Sequence, residues 1–172
     1  MKIIQKPKRH QAKKVEDLHA QPFLTEAREM VKMIISDKCF FPASKNTVCL
    51  SVAQPQVNED NPLRYFVLNP KWEELARTFN GVIIANPKLL QGDWQTTKTQ
   101  LEACVSFPYR PMVKVQRFLS IEVRYDIITS MKRGDDGNYH AEVKEGKVAG
   151  LEGVPAVVFQ HSLDCLNGKY IY

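Results

Sequence analysis

No run of eighteen apolar residues occurs anywhere in this chain, which excludes a membrane-spanning helix. Its opening stretch, MKIIQKPKRHQAKK, lacks the apolar centre and small-residue cleavage site of a signal peptide. Cysteine is scarce, at four in 172 residues, too few for the disulfide frameworks that staple small secreted domains. The expectation is an intracellular protein (cytoplasm, organelle matrix or virus particle), not secreted, whose cysteines are thiols or metal ligands. Internal repeats, low-complexity tracts and dividing linkers are also missing. Residues 1–172 therefore read as one domain, large enough to bury a core without staples.

What is present begins with an uneven charge. Six of the 24 basic residues (Lys2, Lys6, Lys8, Arg9, Lys13 and Lys14) fall in the first fourteen positions, leaving 18 basic against 19 acidic in the remainder. A near-neutral body thus carries a basic arm over residues 1–14. The arm reads either as a solvated edge or as a contact for phosphate, nucleic acid or an acidic partner surface. No aromatic residue interleaves its lysines, so base stacking has no support.

The periodicity predicts a short strand over residues 1–5. It then predicts an amphipathic helix over 25–35, with Ala27, Met30, Val31, Ile34 and Ile35 on one stripe and Thr25 as N-cap. TVCLSVA, RYFVLN, GVIIANPKLL, LEACVSF and FLSIEVRYDII read as successive strands, the third broken at Asn86-Pro87. RGDDGN is a turn, YHAEVKEGKVAG an exposed polar strand. From Pro155 the spacing is helical again, with Asn167-Gly168 as C-cap. Helix, antiparallel strands, helix is an α+β order.

On that last helix His161 and Cys165 stand at i and i+4, one turn apart on one face, where two donors can share one tetrahedral metal. Alone, the pair reads equally as a hydrogen-bonded core histidine and a small buried hydrophobe. Two further segments give it context: CLSVAQPQ at 49–56 and EACVS at 102–106, ahead of QHSLDC at 160–165. In order and spacing the three resemble the signature motifs of peptide deformylases: glycine-x-glycine-x-alanine-alanine-x-glutamine, E-G-C-L-S and Q-H-E-x-D-H. IIANPKLL, the SFP after Val105 and the LNG after Cys165 are similar to that family too, so the resemblance covers almost the whole chain.

The resemblance implies antiparallel sheets packed around a C-terminal helix. It implies Cys104 and His161 as metal ligands, with Cys165 where the family has a second histidine. Gln56 and the backbone N–H of Val105 would hold the oxyanion of a formyl group. Glu102 would be a buried supporting carboxylate and Asp164 a supporting residue of the helix. The implied substrate is an N-formyl-methionyl peptide, and the implied metal zinc or another divalent ion such as iron. The alternatives for Cys104 and Cys165 are metal-free thiols or a disulfide.

The departures shape the functional expectation. Ser162 replaces the glutamate that takes a proton from water and delivers it to the leaving amine, a role a serine hydroxyl cannot fill unaided. Cys165 is tolerable for zinc but adds negative charge to the metal. Cys49, Ser51 and Gln54 replace the two glycines and second alanine of the first motif, which should crowd a peptide groove. Many bacterial relatives continue into a further helix that contacts the ribosome; ending at GKYIY, this chain resembles shorter organellar or virus-encoded ones. The expectation is a deformylase-like protein without deformylase activity, serving as a structural or binding subunit of a larger assembly such as a ribonucleoprotein or viral particle. The alternative is an active divergent deformylase.

Overall fold

The computed structural model describes residues 1–36 and 49–171. Helix α1 spans Gln21–Ile35, followed by β1 Ser51–Ala53, β2 Tyr65–Leu68, α2 Glu73–Phe79, β3 Ile83–Gly92, β4 Thr97–Glu102, β5 Val113–Phe118, β6 Ser120–Arg133, β7 Tyr139–Glu152 and α3 Gly153–Leu166. Five strands form an antiparallel sheet in the order β1-β2-β3-β6-β7, while β4 and β5 form a separate ribbon. This is the α+β architecture expected from the sequence.

Alternation along the strands assigns each sheet face its helix. On β2, Phe66 and Leu68 join the cluster under α3, whereas Tyr65 and Val67 join the cluster under α1. Val123, Tyr125 and Ile127 of β6 continue the α3 side. Helix α3 buries Ala156, Val158, Phe159, Ser162, Leu163, Cys165 and Leu166. A helix buried almost all round is a core element rather than a surface one, and its polar residues are held among apolar walls. Phe159 anchors it, edge-on to Phe66 at 5.7 Å and stacked on Phe79 at 6.3 Å between centroids. Sandwiched aromatic pairs of this kind add to simple area burial.

Several local expectations are corrected. Residues 1–5 form no strand; their backbone runs over the body, with Ile4 N–H donating to Gln56 O at 2.7 Å. Helix α1 starts at Gln21, with Ala20 as N-cap and Pro22 in the first turn, so Thr25 is an interior residue. Proline fits there because the first-turn N–H has no helical partner. Asn86-Pro87 bulges β3 rather than ending it: pairing with β6 shifts register between Ala85 and Lys88. Asn86 takes φ 49°, a conformation asparagine tolerates, and its side chain donates to Asp126 and accepts from Val15 N–H. The LEACVSF strand stops at Glu102. Helix α2 has no counterpart in the sequence reading. Residues 47 and 48 of TVCLSVA lie outside the described residues.

The basic arm is tied down along its backbone. Lys6 N–H donates to Ser106 O, Ala12 N–H to Leu166 O and Lys13 N–H to Pro62 O. Gly168, at φ 71°, leaves room for it, since a Cβ there would stand 2.8 Å from the backbone carbon of Arg9. The arm's lysines nonetheless stay exposed at their side chains, so it is a fixed basic strip, not a loose tail.

Candidate metal centre

Helix α3 and the turn after β4 bring three donors together. Cys104, His161 and Cys165 each offer one ligand atom, and these atoms lie within 4.8 Å of one another. Cys104 lies two residues beyond the end of β4, at the start of a tight turn closed by Phe107 N–H donating to Cys104 O. Both thiols are buried, and no disulfide joins them.

The orientation of His161 is fixed from behind. Its Nδ1 is 2.9 Å from Glu102 Oε2, which leaves Nε2 for the sulfurs. Arg117 grips the same carboxylate from β5, Nε donating to Oε1 at 2.7 Å and Nη2 to Oε2 at 2.9 Å, and sends Nη1 to Asp164 at 2.5 Å. The imidazole, two carboxylates and one guanidinium thus form a continuous network below the donors. Such partners set the tautomer and basicity of a metal-binding histidine.

The network also sets the charges. Burial alone would push the Glu102 carboxyl up, but the Arg117 and His161 bonds hold it down to about 2. Cys104 accepts from the Cys165 thiol and, against burial, from His161 and the Ser106 N–H, which brings it to about 5. Burial disfavours the His161 imidazolium, yet the Cys104 sulfur and Glu102 raise it to about 9. Cys165, which shares its proton toward Cys104 and is buried, is raised well above an ordinary thiol. Without a metal these contacts favour the thiolate at Cys104, the imidazolium at His161 and the thiol at Cys165. With one, the fit is good: two sulfurs and an imidazole nitrogen converge, and the other ring nitrogen is already engaged.

Gln56 stands behind the sulfurs, fully enclosed. Its amide nitrogen donates to Cys104 Sγ and Ser106 Oγ, both at 3.2 Å, and its Oε1 accepts from Ala53 N–H. Both of its N–H donors are thus used inside the protein. Beside the centre opens a cleft of about 210 Å³, its lining polar at Ser51, Glu102 and His161 and apolar at Leu50, Leu101, Val105 and Val158 among others.

Ser162 points to β1, not to the donors. Its hydroxyl lies 2.8 Å from the hydroxyl of Ser51, which lines the cleft. Two positions that differ from the deformylase motifs, one in the first segment and one in the third, are therefore bonded to each other. Gln54, a third such position, turns away from the cleft; its side chain reaches Glu26 and accepts from Leu63 N–H.

The sequence reading missed Arg117 and Ser106. Arg117 had a signal: in VKVQRF it shares the alternating face of Val113 and Val115, and a charged residue on an inward face requires a partner. Ser106, fully buried beside Gln56, had none.

The α+β scaffold brings two thiols and an imidazole together, with a carboxylate backing the imidazole, as a group that could hold a metal ion. The chain belongs to the polypeptide deformylase family, whose model matches residues 2–172. A peptide deformylase of Thermotoga petrophila is 35% identical over 123 residues, 71% of this chain and 59% of that protein. The chain thus spans less than two thirds of the length of the curated relatives it matches. The crystal structure of peptide deformylase from Thermotoga maritima superposes with a TM-score of 0.61 at 28% identity, over 94% of this chain and 86% of that one. A class I type b peptide deformylase from Acinetobacter baumannii shares the fold, with a TM-score of 0.68 at 17% identity over 99% of this chain and 95% of that one. No helix among the described residues is long and apolar enough to cross a membrane.

Proposed function

We propose that this chain holds a divalent metal through Cys104, His161 and Cys165 and binds a peptide end in the adjoining cleft without hydrolysing it. On this reading it is a binding or structural subunit of a larger assembly. The observation that carries it is the lack of a side chain free to move a proton. Among the described residues lining the cleft, Glu102 is the one carboxylate, and both its oxygens are engaged by Arg117 and His161. Held near 2, it is far too weak a base to work near neutrality. Asp164 is bonded to Arg117, and Ser162 to Ser51.

A bound metal would supply Lewis acidity beside the cleft that His161 lines. Two thiolates and an imidazole suit zinc better than iron, because soft sulfur donors favour the softer ion. The chain's own part is to orient: Glu102 fixes the His161 ring, Arg117 fixes Glu102, and the apolar walls around Leu50, Leu101 and Val105 exclude water from a seated apolar side chain. In this arrangement Gln56 supports Cys104, and meeting an oxyanion with Val105 N–H would require it to give up an internal bond. The fixed lysines of residues 1–14 suit an acidic partner surface, protein or nucleic acid.

The test is a metal analysis of the purified protein paired with formate release from an N-formyl-methionyl peptide. The expected result is about one metal per chain and no formate above background. Formate release abolished by Cys104→Ala would refute the reading and restore the divergent deformylase.

A further inference from the structure

We propose that Cys104 and Cys165 form a peroxide-sensitive dithiol whose oxidation to a disulfide releases the metal held at this centre. The inference rests on the metal-binding reading above, although the sulfur pair exists without it. Deformylase motifs carry one cysteine and two histidines here; the second sulfur comes from Cys165, and it faces Cys104 directly. The two sulfurs and the His161 nitrogen lie within 4.8 Å of one another. A disulfide requires the sulfurs to close to about 2.05 Å. Cys104 lies in the turn beyond the end of β4 and Cys165 in α3, so closure moves the turn that carries Cys104 and gives up the Gln56 amide bond to its sulfur.

The redox step balances with hydrogen peroxide as the oxidant. The Cys104 sulfur attacks one peroxide oxygen, the O–O bond breaks, and the other oxygen leaves as water, giving a sulfenic acid. The Cys165 sulfur then attacks that sulfur, the S–O bond breaks, and a second water leaves. The two sulfurs lose two electrons and peroxide takes them up with two protons, which come from the solvent when the metal holds both sulfurs as thiolates and from the thiols themselves in the metal-free protein. His161 is then the one donor left, and a single imidazole does not retain a metal.

Burial selects the oxidant. Cys104 is 2% and Cys165 1% exposed, but Ala103, Val105 and His161, the neighbours of the sulfurs, line the cleft. On the proposal a small oxidant such as peroxide enters by the cleft past these neighbours, whereas a tripeptide disulfide such as oxidised glutathione is too large to meet sulfurs this deeply buried.

The experiment treats zinc-loaded protein, its zinc content measured first, with hydrogen peroxide or with oxidised glutathione. It reads zinc release, intact mass and the cross-linked peptides. Peroxide should lower the mass by two hydrogens, link Cys104 to Cys165 and release the whole zinc complement, all reversed by dithiothreitol; oxidised glutathione should leave the protein unchanged. Cys165→His keeps a donor at that position and should hold its zinc under the peroxide that empties the native protein. A sulfinic acid on Cys104 with Cys165 still a thiol, a link to Cys49 instead, or a glutathione adduct would each overturn the proposal. If the protein takes up no zinc, the metal-binding reading fails; a Cys104–Cys165 link in that metal-free protein still upholds the dithiol, and its absence sinks it.

Discussion

Replacing Glu102 by Gln in the metal-free protein tests the network beneath the donors. Glu102 titrates near 2 in the folded chain against an ordinary 4.5, because Arg117 and His161 both bond its ionised form. The folded carboxylate therefore sheds its proton before the unfolded one does. Its stabilisation is complete above about 4.5 and is lost as pH falls toward 2. At about 1.4 kcal/mol per pH unit, that gap is worth about 3 kcal/mol. The side chain is 8% exposed, so solvent screening removes little of it. Urea unfolding from pH 7 down to pH 2.5 should show the native chain losing most of this increment below pH 4.5. Glu102→Gln has no charge to lose, so the same acid limb should be flatter by about that amount, although the variant starts lower at pH 7. Parallel acid limbs in the two proteins would refute the reasoning, since they would mean that Glu102 is not held ionised by its partners.

Two further outcomes follow from the same geometry. Between pH 6.5 and 9 the metal-free protein should show flat stability: its folded pair keeps one proton on His161, and the unfolded pair keeps one on the Cys104 thiol. Between 5 and 6.5 the unfolded pair binds one proton more, so stability should rise with pH by about 2 kcal/mol. A steady decline from 6.5 to 9 in urea midpoints would mean that Cys104 is an ordinary thiol. Deleting residues 1–14 removes the backbone bonds to Gln56, Ser106, Pro62 and Leu166 and should lower stability by roughly 3 kcal/mol; an unchanged melting temperature would show the arm contributes nothing to the body.

The parts of this molecule legible in its sequence are those where periodicity and burial agree. Helix α3 was readable because apolar residues and a glycine stop frame it, and its role as a central element came from the deformylase resemblance. Cys104, His161 and Cys165 could be named together because three segments keep the order of the deformylase motifs, and the fold brings the three side chains within reach of one another. The start of α1 was not: the stripe from Ala27 is clear, but the first turn depends on Pro22 and on Phe23 and Leu24 packing inward, which position Thr25 inside the helix. The bulge at Asn86-Pro87 was misread because a proline break and a proline bulge look alike until the pairing partner is known. The attachment of the arm was not legible, since charge patterning reports side chains and here the backbone makes the attachments. The Ser51–Ser162 contact joins residues 111 apart, so neither substitution announces the other.

The claim that position 162 is where the chemistry is missing is tested most directly by formate release from the metal-loaded Ser51→Gly, Ser162→Glu double variant. Ser162→Glu alone would drive a carboxylate against the Ser51 hydroxyl; Ser51→Gly removes that hydroxyl. A positioned carboxylate is worth on the order of 10²–10⁴-fold in rate, so the double variant should release formate at least about 10²-fold faster than the native chain. A native chain that matches the double variant, or a double variant that binds metal and stays silent, would contradict the account.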